Sequence, residues 1–511
     1  MGGIKLQRPF VTLCIFLFIG IMVSYSFSHF ISIYYVIFFA LLALVSLLVY
    51  EKAFNILFLF TVVALGVYLY GQSIIGDKLL ETFTSDSIIR VKILKEANFK
   101  KGYSEHEAEI INIFADKKSK GIKVGQKAQL NIFQSSTEDF TLAVGDIIEI
   151  KNANIKKLMK DYEKDKINGY ELFLKSRGLE YILNVNIGNI TKTDINLKCL
   201  NIPNKSYRAK IYLEDFLDST LDFENSDILK SIIFGNQGYL SNDKLDMFSK
   251  TGTAHIMAVS GLHVGLMVIV IDRFLKLMKM GRNKRLYLTM FILIFYGYMV
   301  YFPISIVRAG AMYFLYVAAY FLERRYDSIN ALFFIGFILL IYRPMTIFSI
   351  SFQLSFMATL SILLLSPILN EKLNKITGPL SSLLSVTLAA QIGTLPIMAY
   401  HFNQVSLISL LTNLLIIPII SPMLSIAFFS ILIGAVSFRL GFFINKITNH
   451  LLNYINWITM KCSAVPYGNF KVDEIKPIYI FSYYIVLGAI CFLLYKRGCL
   501  KKERLVKVYE L

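Results

Sequence analysis

The sequence predicts a polytopic α-helical membrane protein with a small extracytoplasmic β-barrel, OB-like in form, inserted between two groups of spans. Three observations predict it. The 511 residues are 55% hydrophobic with a mean hydropathy of +0.57, too apolar for a soluble enzyme and too long for one domain. Several uncharged segments reach the roughly 20 residues a helix needs to cross the hydrocarbon core, where a backbone must satisfy its own hydrogen bonds. One long polar stretch with period-two alternation divides these segments into a leading and a trailing group.

The leading group is Phe10 to Phe27, Ile31 to Tyr50 and Ala53 to Tyr70. No small-residue cleavage pattern follows the first, and a second apolar run begins almost at once, so it reads as a retained anchor rather than a signal peptide. Apolar runs resume near Ile256 and continue to Tyr495, giving about twelve spans in all, with Val405 to Phe443 read as two helices or as re-entrant pieces. The domain division that follows is 1–71 for the leading spans and 72–203 for the β domain. An amphipathic helix and connector take 204–250, the trailing membrane core 251–442, and an amphipathic segment, last span and basic tail 443–511.

Within the polar stretch, Ile89, Val91 and Ile93 alternate with Arg90 and Lys92. Ala128, Leu130 and Ile132 alternate with Gln129 and Asn131, and Leu183, Val185 and Ile187 with Asn184 and Asn186. Val144 to Ile150 reads as a turn entering a further strand. Some five strands in this length suit an antiparallel OB-like barrel. Its lysines are interleaved with Asp and Glu, so a solvated face competes with a DNA-binding groove. Aromatic platforms at Tyr103, Phe133, Tyr162, Tyr170 and Phe173 would separate the two if they shared a face. From Tyr207 to Phe223 the pattern is helical, with Ile211, Leu213, Phe216, Leu217, Leu221 and Phe223 on one side. That is an amphipathic helix suited to the outer leaflet.

The net charge of +18 is an orientation signal as much as a nucleic-acid one. Lys5 and Arg8 precede the first span, a cluster from Arg273 to Arg285 follows the fourth, and Arg324 and Arg325 follow the sixth. Lys496, Arg497, Lys501, Lys502, Arg504 and Lys507 follow the last. Alternating spans put all of these on one side, so both termini are expected in the cytoplasm and the β domain outside. Of five cysteines only Cys199 falls in that domain, which excludes an internal disulfide there, and no CxxC pair suggests a metal.

Polar residues at membrane depth are costly and face a bundle interior or a wet path. The densest run is Thr251 to Gly265, TGTAHIMAVSGLHVG, which contains His255, Ser260, Gly261, His263 and Gly265. Ser260 and His263 sit on one face if the segment is helical, and Gly261 and Gly265 have the spacing for close helix approach. Polar glue with small-residue packing explains that much without any function. Arg308 stands just inside a later span, where snorkelling to the outer interface would accommodate it. Gln353, Ser355, Gln391, His401 and Asn413 then recur in or beside successive apolar runs, and their recurrence points to a lined cavity. Pro396, Pro418 and Pro422 interrupt the same region, as broken helices around a path would require.

TGTAHIMAVSGLHVGLM strongly resembles the signature of the ComEC-type competence proteins, the inner-membrane channels that import DNA during natural transformation. The preceding IFGNQGYL and the later SIVRAG, FQLSF, LAAQIGTLPIMAYHFNQVSL and LLTNLLIIPII stretches match that family's pattern in order. The resemblance covers Ser231 to about Pro422. More weakly, Gly169 to Leu179, GYELFLKSRGL, resembles the segment that closes the family's exposed OB-like domain. Many members continue into a metallo-β-lactamase-like domain, whereas here none of the six histidines stands in an HxHxDH arrangement. The cysteine pair of some relatives is also missing from the exposed domain.

The resemblance implies a channel for single-stranded DNA, with His255, Ser260, His263, Arg308, Gln353, Gln391, His401 and Asn413 lining or shaping the path. No residue needs a covalent role, because translocation breaks no bond in the DNA, and no cofactor is implied. Membrane lipid is one partner. The others implied are a DNA receptor outside, a separate nuclease and, since no GxxxxGK[ST] motif is present, a cytoplasmic DNA-translocating ATPase. Gly261 and Gly265 can pack within one chain or across a homodimer. Two rivals come from other classes. An intramembrane serine hydrolase would use Ser260 and a histidine, but Val259-Ser260 lacks the glycine two residues earlier and no carboxylate is in view to orient His263. A small-solute carrier would show two related halves, and none is visible.

Overall fold

The computed structural model describes residues 8–27, 33–47, 51–75, 87–100, 102–114, 122–133, 142–158, 169–194, 202–466, 468–472 and 475–509. Lys5, Tyr162 and Cys199 lie outside the described residues. The chain divides into two units, one of Met1–Ile211, Phe295–Phe302 and Ala319–Ser349, the other of Tyr212–Ile294, Pro303–Ala318 and Ile350–Leu511.

Helices α1 (Pro9–Phe27), α2 (Ile33–Leu47) and α3 (Glu51–Ile75) open the first unit. α1 and α3 cross at two glycines. A Cβ on Gly20 would lie 2.2 Å from the Val63 carbonyl oxygen, and one on Gly66 would lie 2.6 Å from that of Leu17. Small residues let helix backbones approach this closely where lipid supplies no hydrophobic drive between them. α1 also meets α11 (Ser328–Tyr342), with Phe10 edge-on to Phe334 at 4.5 Å.

The β domain follows as β1 (Ile88–Ile93), β2 (Asn98–Lys100), β3 (Tyr103–Phe114), β4 (Ile122–Phe133), β5 (Ile147–Ile150), β6 (Asn154–Lys157), α4 (Gly169–Ser176), β7 (Tyr181–Asn186) and β8 (Ile190–Asp194). Alternation did place the inward residues: Ile89, Val91, Ile93, Leu130, Ile132, Leu183 and Val185 form one buried core. The sheet itself differs from the antiparallel five-strand barrel expected. Its strands run β6-β7-β4-β3-β1-β5-β8 along an open path with β2 beside β3, and β4 pairs with β7 in parallel. A parallel neighbour needs a crossover. The GYELFLKSRGL segment supplies it as α4, whose Leu174 packs with Leu158, Leu179 and Ile182 on the outer face.

Two inward residues of β3 are polar, Ser104 and His106. His106 on β3 is 4% exposed, its Nε2 is 3.2 Å from Ser104 Oγ, and its Nδ1 has no partner. Burial pushes its imidazole down to about 4. The folded pKa lies below the unfolded value of about 6.5, so the neutral ring's contribution is complete above pH 6.5 and is lost as pH falls toward 4. Amide exchange of the full chain should therefore show β3 and β4 losing about 3 kcal/mol of protection between pH 7 and pH 4. His106→Leu should abolish that loss; an equal loss in the variant would assign it to other groups.

α5 (Ile202–Thr220) was expected to lie on a leaflet through Phe223. Instead it ends at Thr220, and Phe223, 81% exposed, begins α6 (Phe223–Phe234). Phe216 fills a hole between later helices, 2.5 Å from where a Cβ on Gly434 would stand, and Leu217 and Leu221 are buried beside it, while Ile211 stays 39% exposed. Lys210 on the same helix is 1% exposed. It is bound to Glu96 after β1, and its ammonium lies 5.7 Å from the Tyr301 ring centre.

Next come α7 (Asn242–Lys250), α8 (Gly261–Leu277), α9 (Arg282–Met299), α10 (Ile304–Phe321) and, after α11, α12 (Ile350–Thr377). α9 passes into α10 through Tyr301 and Phe302, whose φ values of 60° and 49° are both left-handed. Such residues cost about 1–3 kcal/mol each and persist only where surroundings hold them. Here Phe302 covers Gly297 and Lys210 covers Tyr301.

The second unit ends with α13 (Ser381–Phe402), β9 (Gln404–Ser406), α14 (Ser409–Gly434), α15 (Phe438–Ser463), β10 (Asn469–Lys471) and α16 (Pro477–Tyr509). Among the described residues, six helices are long and apolar enough to cross a membrane, within α1, α3, α10, α12, α13 and α14, and three shorter apolar helices accompany them. This is a polytopic helical membrane protein. The prolines do not break the helices. α13 and α14 run continuously through Pro396, Pro418 and Pro422. Pro396 cannot bond the Ile392 carbonyl, and the Tyr483 hydroxyl from α16 donates to that oxygen at 2.9 Å instead, with Tyr484 donating to the Gly393 carbonyl at 2.7 Å.

Candidate functional site

All the residues singled out at membrane depth fall in the second unit, where all but His255 and Gly265 form three groups. The first is built on the break before α8. Residues 251–260 contain only a short 3-10 turn at Ala254–Ile256, because Gly252 adopts φ +69° and stops α7 from continuing. Ser260 is therefore the N-cap of α8, not a residue on its face. His263 Nδ1 accepts a hydrogen bond from the Ser260 main-chain N–H at 3.3 Å, closing the helix end. The bonded atom is the amide, not the hydroxyl that a nucleophile and base would share.

Against this helix start lies Arg308. A Cβ on Gly261 would meet its Nη2 at 2.6 Å, so glycine is what lets the guanidinium reach the first turn of α8. Nε donates to Ser355 Oγ of α12 at 2.8 Å, and Nη1 is 3.7 Å from Met312 Sδ. Neither partner is charged. With 7% of its surface exposed, Arg308 does not snorkel; it is a buried cation with no carboxylate bonded to it among the described residues. Ser305, one turn earlier, donates to the Val259 carbonyl at 2.6 Å and ties α10 to the unwound segment. A helix N-terminus and a guanidinium on one spot make an electropositive pair suited to an anion.

The second group joins α12 and α13, where His401 Nε2 and Gln353 Oε1 are 2.9 Å apart. Gln353 and Ser355 are two residues apart on a helix, so the first two groups occupy different sides of α12. The third surrounds the start of α14. Gln391 Nε2 donates to Ser409 Oγ at 3.2 Å, and a Cβ on Gly252 would collide with Ser409 at 2.4 Å. Asn413, one turn further along α14, is 4% exposed, and its Oδ1 is buried without a partner. Ser406 and Gln404 on β9 bond back to the Lys250 carbonyl and Ser249 Oγ, holding α7 to the same junction.

Two residues stand outside these groups. His255 is exposed, its Nδ1 3.0 Å from the Gly252 carbonyl, and Gly265 has nothing within 4 Å of a Cβ position. Sequence reading missed Ser409, Gly252 and the tyrosine pair of α16. Only Gly252 carried a local signal, as a glycine between two threonines.

The family model described as Competence protein matches residues 232–497, which holds all three groups. ComE operon protein 3 of Bacillus subtilis (strain 168) is 27% identical over 334 residues, covering 61% of this chain and 42% of that one. An uncharacterized protein of Aquifex aeolicus (strain VF5) is 32% identical over 228 residues, covering 44% of this chain and 51% of that one. The chain thus spans about half the length of these curated relatives. No solved structure matches.

Proposed function

Because this chain belongs to the competence protein family, in its ComEC-type form, we propose that it carries single-stranded DNA across the cytoplasmic membrane during natural transformation. The observation that carries this reading is Arg308. A buried guanidinium lacking a carboxylate is expensive at membrane depth and is retained where a mobile anion meets it. The phosphodiester backbone is such an anion, and one charge-assisted contact beside a helix N-terminus binds it weakly enough for release. Gln391, Ser409 and Asn413 supply uncharged donors and acceptors at the α14 junction, and Gln353 with His401 a further pair on α12 and α13. None of these steps makes or breaks a covalent bond.

The basic clusters orient both termini toward the cytoplasm and the β domain outward. A DNA receptor outside, a separate nuclease and a cytoplasmic DNA-translocating ATPase complete the scheme. The test is transport itself. Cells lacking the chain should bind labelled external DNA and carry none of it into the cytoplasm; normal internalisation in that strain would sink the assignment.

A further inference from the structure

The outer face of the β domain carries a slot between two aromatic pairs. Successive residues on a strand point to opposite faces, so Gln129, Asn131 and Phe133 of β4 share one face with Tyr103, Glu105 and Glu107 of β3. Tyr103 and Phe133 stack at 5.4 Å at one end. At the other, α4 stacks Tyr170 on Phe173 at 6.5 Å, and the Tyr170 hydroxyl meets the Gln129 amide. Gln129 and Phe133 are four residues apart on one strand, so the two pairs stand roughly 13 Å apart. The row between them is polar: Asn131 Nδ2 donates to Asn184 Oδ1 at 2.8 Å, and Glu105 lies opposite Asn131. Phe133, Tyr170 and Phe173 are 41%, 44% and 36% exposed, far more than a core aromatic.

The charges on this face decide what fits. A nucleic acid needs cations available to its phosphates. Arg177, which also covers the Phe173 ring at 5.5 Å, is bound to Glu107; Lys95 is bound to the same carboxylate; Lys127 stands opposite Glu109. Glu105 adds a carboxylate at the slot itself. Burial pushes the Glu107 pKa up, but Lys95 and Arg177 beside it outweigh that and hold it below the usual carboxylate range, so the carboxylate is ionised. Among the described side chains at the slot itself, a phosphate would meet the Glu105 carboxylate rather than an unpaired cation. Flat apolar ring faces beside amides and a carboxylate instead match an uncharged ring with an apolar C–H face and a rim of hydroxyls.

We propose that this slot binds a neutral polysaccharide, the aromatic pairs stacking on pyranose rings and Glu105 and Asn184 bonding their hydroxyls. The function is distinct from DNA passage and does not depend on it. The test uses the full chain in lipid nanodiscs with tetramers of β-1,4-linked N-acetylglucosamine, β-1,4-linked glucose and α-1,4-linked glucose, and a 20-nucleotide oligothymidylate. Saturation-transfer NMR and calorimetry should show at least one tetramer binding. Phe133→Ala and Phe173→Ala should each weaken it tenfold or more with melting temperature unchanged, because these two side chains are exposed, and Asn184→Ala should weaken it several-fold. Absence of binding by every tetramer, or undiminished binding in the two phenylalanine variants, overturns the proposal. So does oligothymidylate binding that the same substitutions weaken, which would make the slot a nucleic-acid platform.

Discussion

Arg308→Met should lower transformation 10- to 100-fold or more while the chain accumulates in the membrane at its normal level. A hydrogen bond to a charged group contributes about 1.5–3 kcal/mol, and that loss in the passage of each phosphate sets the scale. Stability should move the other way. Methionine fills much of the same volume, and replacing a buried charge that has no carboxylate partner removes a desolvation cost, so the variant should unfold no more easily than the natural chain. A purely structural arginine predicts the opposite pairing, normal uptake or lost abundance. Arg308→Lys should be intermediate, because a point ammonium cannot bond Ser355 and an anion through one planar fork. Labelled DNA uptake, immunoblots of membranes and thermal unfolding in detergent read all three; wild-type uptake by Arg308→Met would end the role assigned to this residue.

The second large effect is on folding. Glu96→Leu should destabilise the first unit by about 3–5 kcal/mol, because it removes the Glu96 carboxylate bound to the Lys210 ammonium, which is 2% exposed. The double variant Glu96→Leu, Lys210→Met should recover most of that loss, since two apolar side chains replace the pair without stranding a charge. Denaturation of purified protein gives the cycle. Additive effects of the two substitutions would show that the bond contributes nothing.

How far the fold was legible depends on the range of the interactions involved. Period-two alternation exposed Val91, Leu130 and Leu183 as core residues, because that pattern is local to each strand. It could not show that β4 and β7 run parallel, since pairing is decided by which segments meet. Gly252 and Ser260 sit inside an apolar run whose composition reads as continuous helix, so the break that makes Ser260 a cap was hidden. The prolines misled for the complementary reason. A missing N–H need not end a helix where another donor takes the freed carbonyl, and the tyrosine that does so for Pro396 lies far along the chain. Arg308 was visible as an oddity, but its burial, its uncharged partners and its closeness to Gly261 are facts of three helices together.

The bond between Ile392 and Tyr483 also sets a schedule. Their residues are 91 positions apart. At about 5–20 residues per second of synthesis, α13 leaves the ribosome some 5–18 s before the tyrosine exists. An unsatisfied carbonyl in hydrocarbon costs several kcal/mol, so α13 can settle fully into lipid only once α16 arrives. The last helix thereby acts as the completion signal for the membrane core.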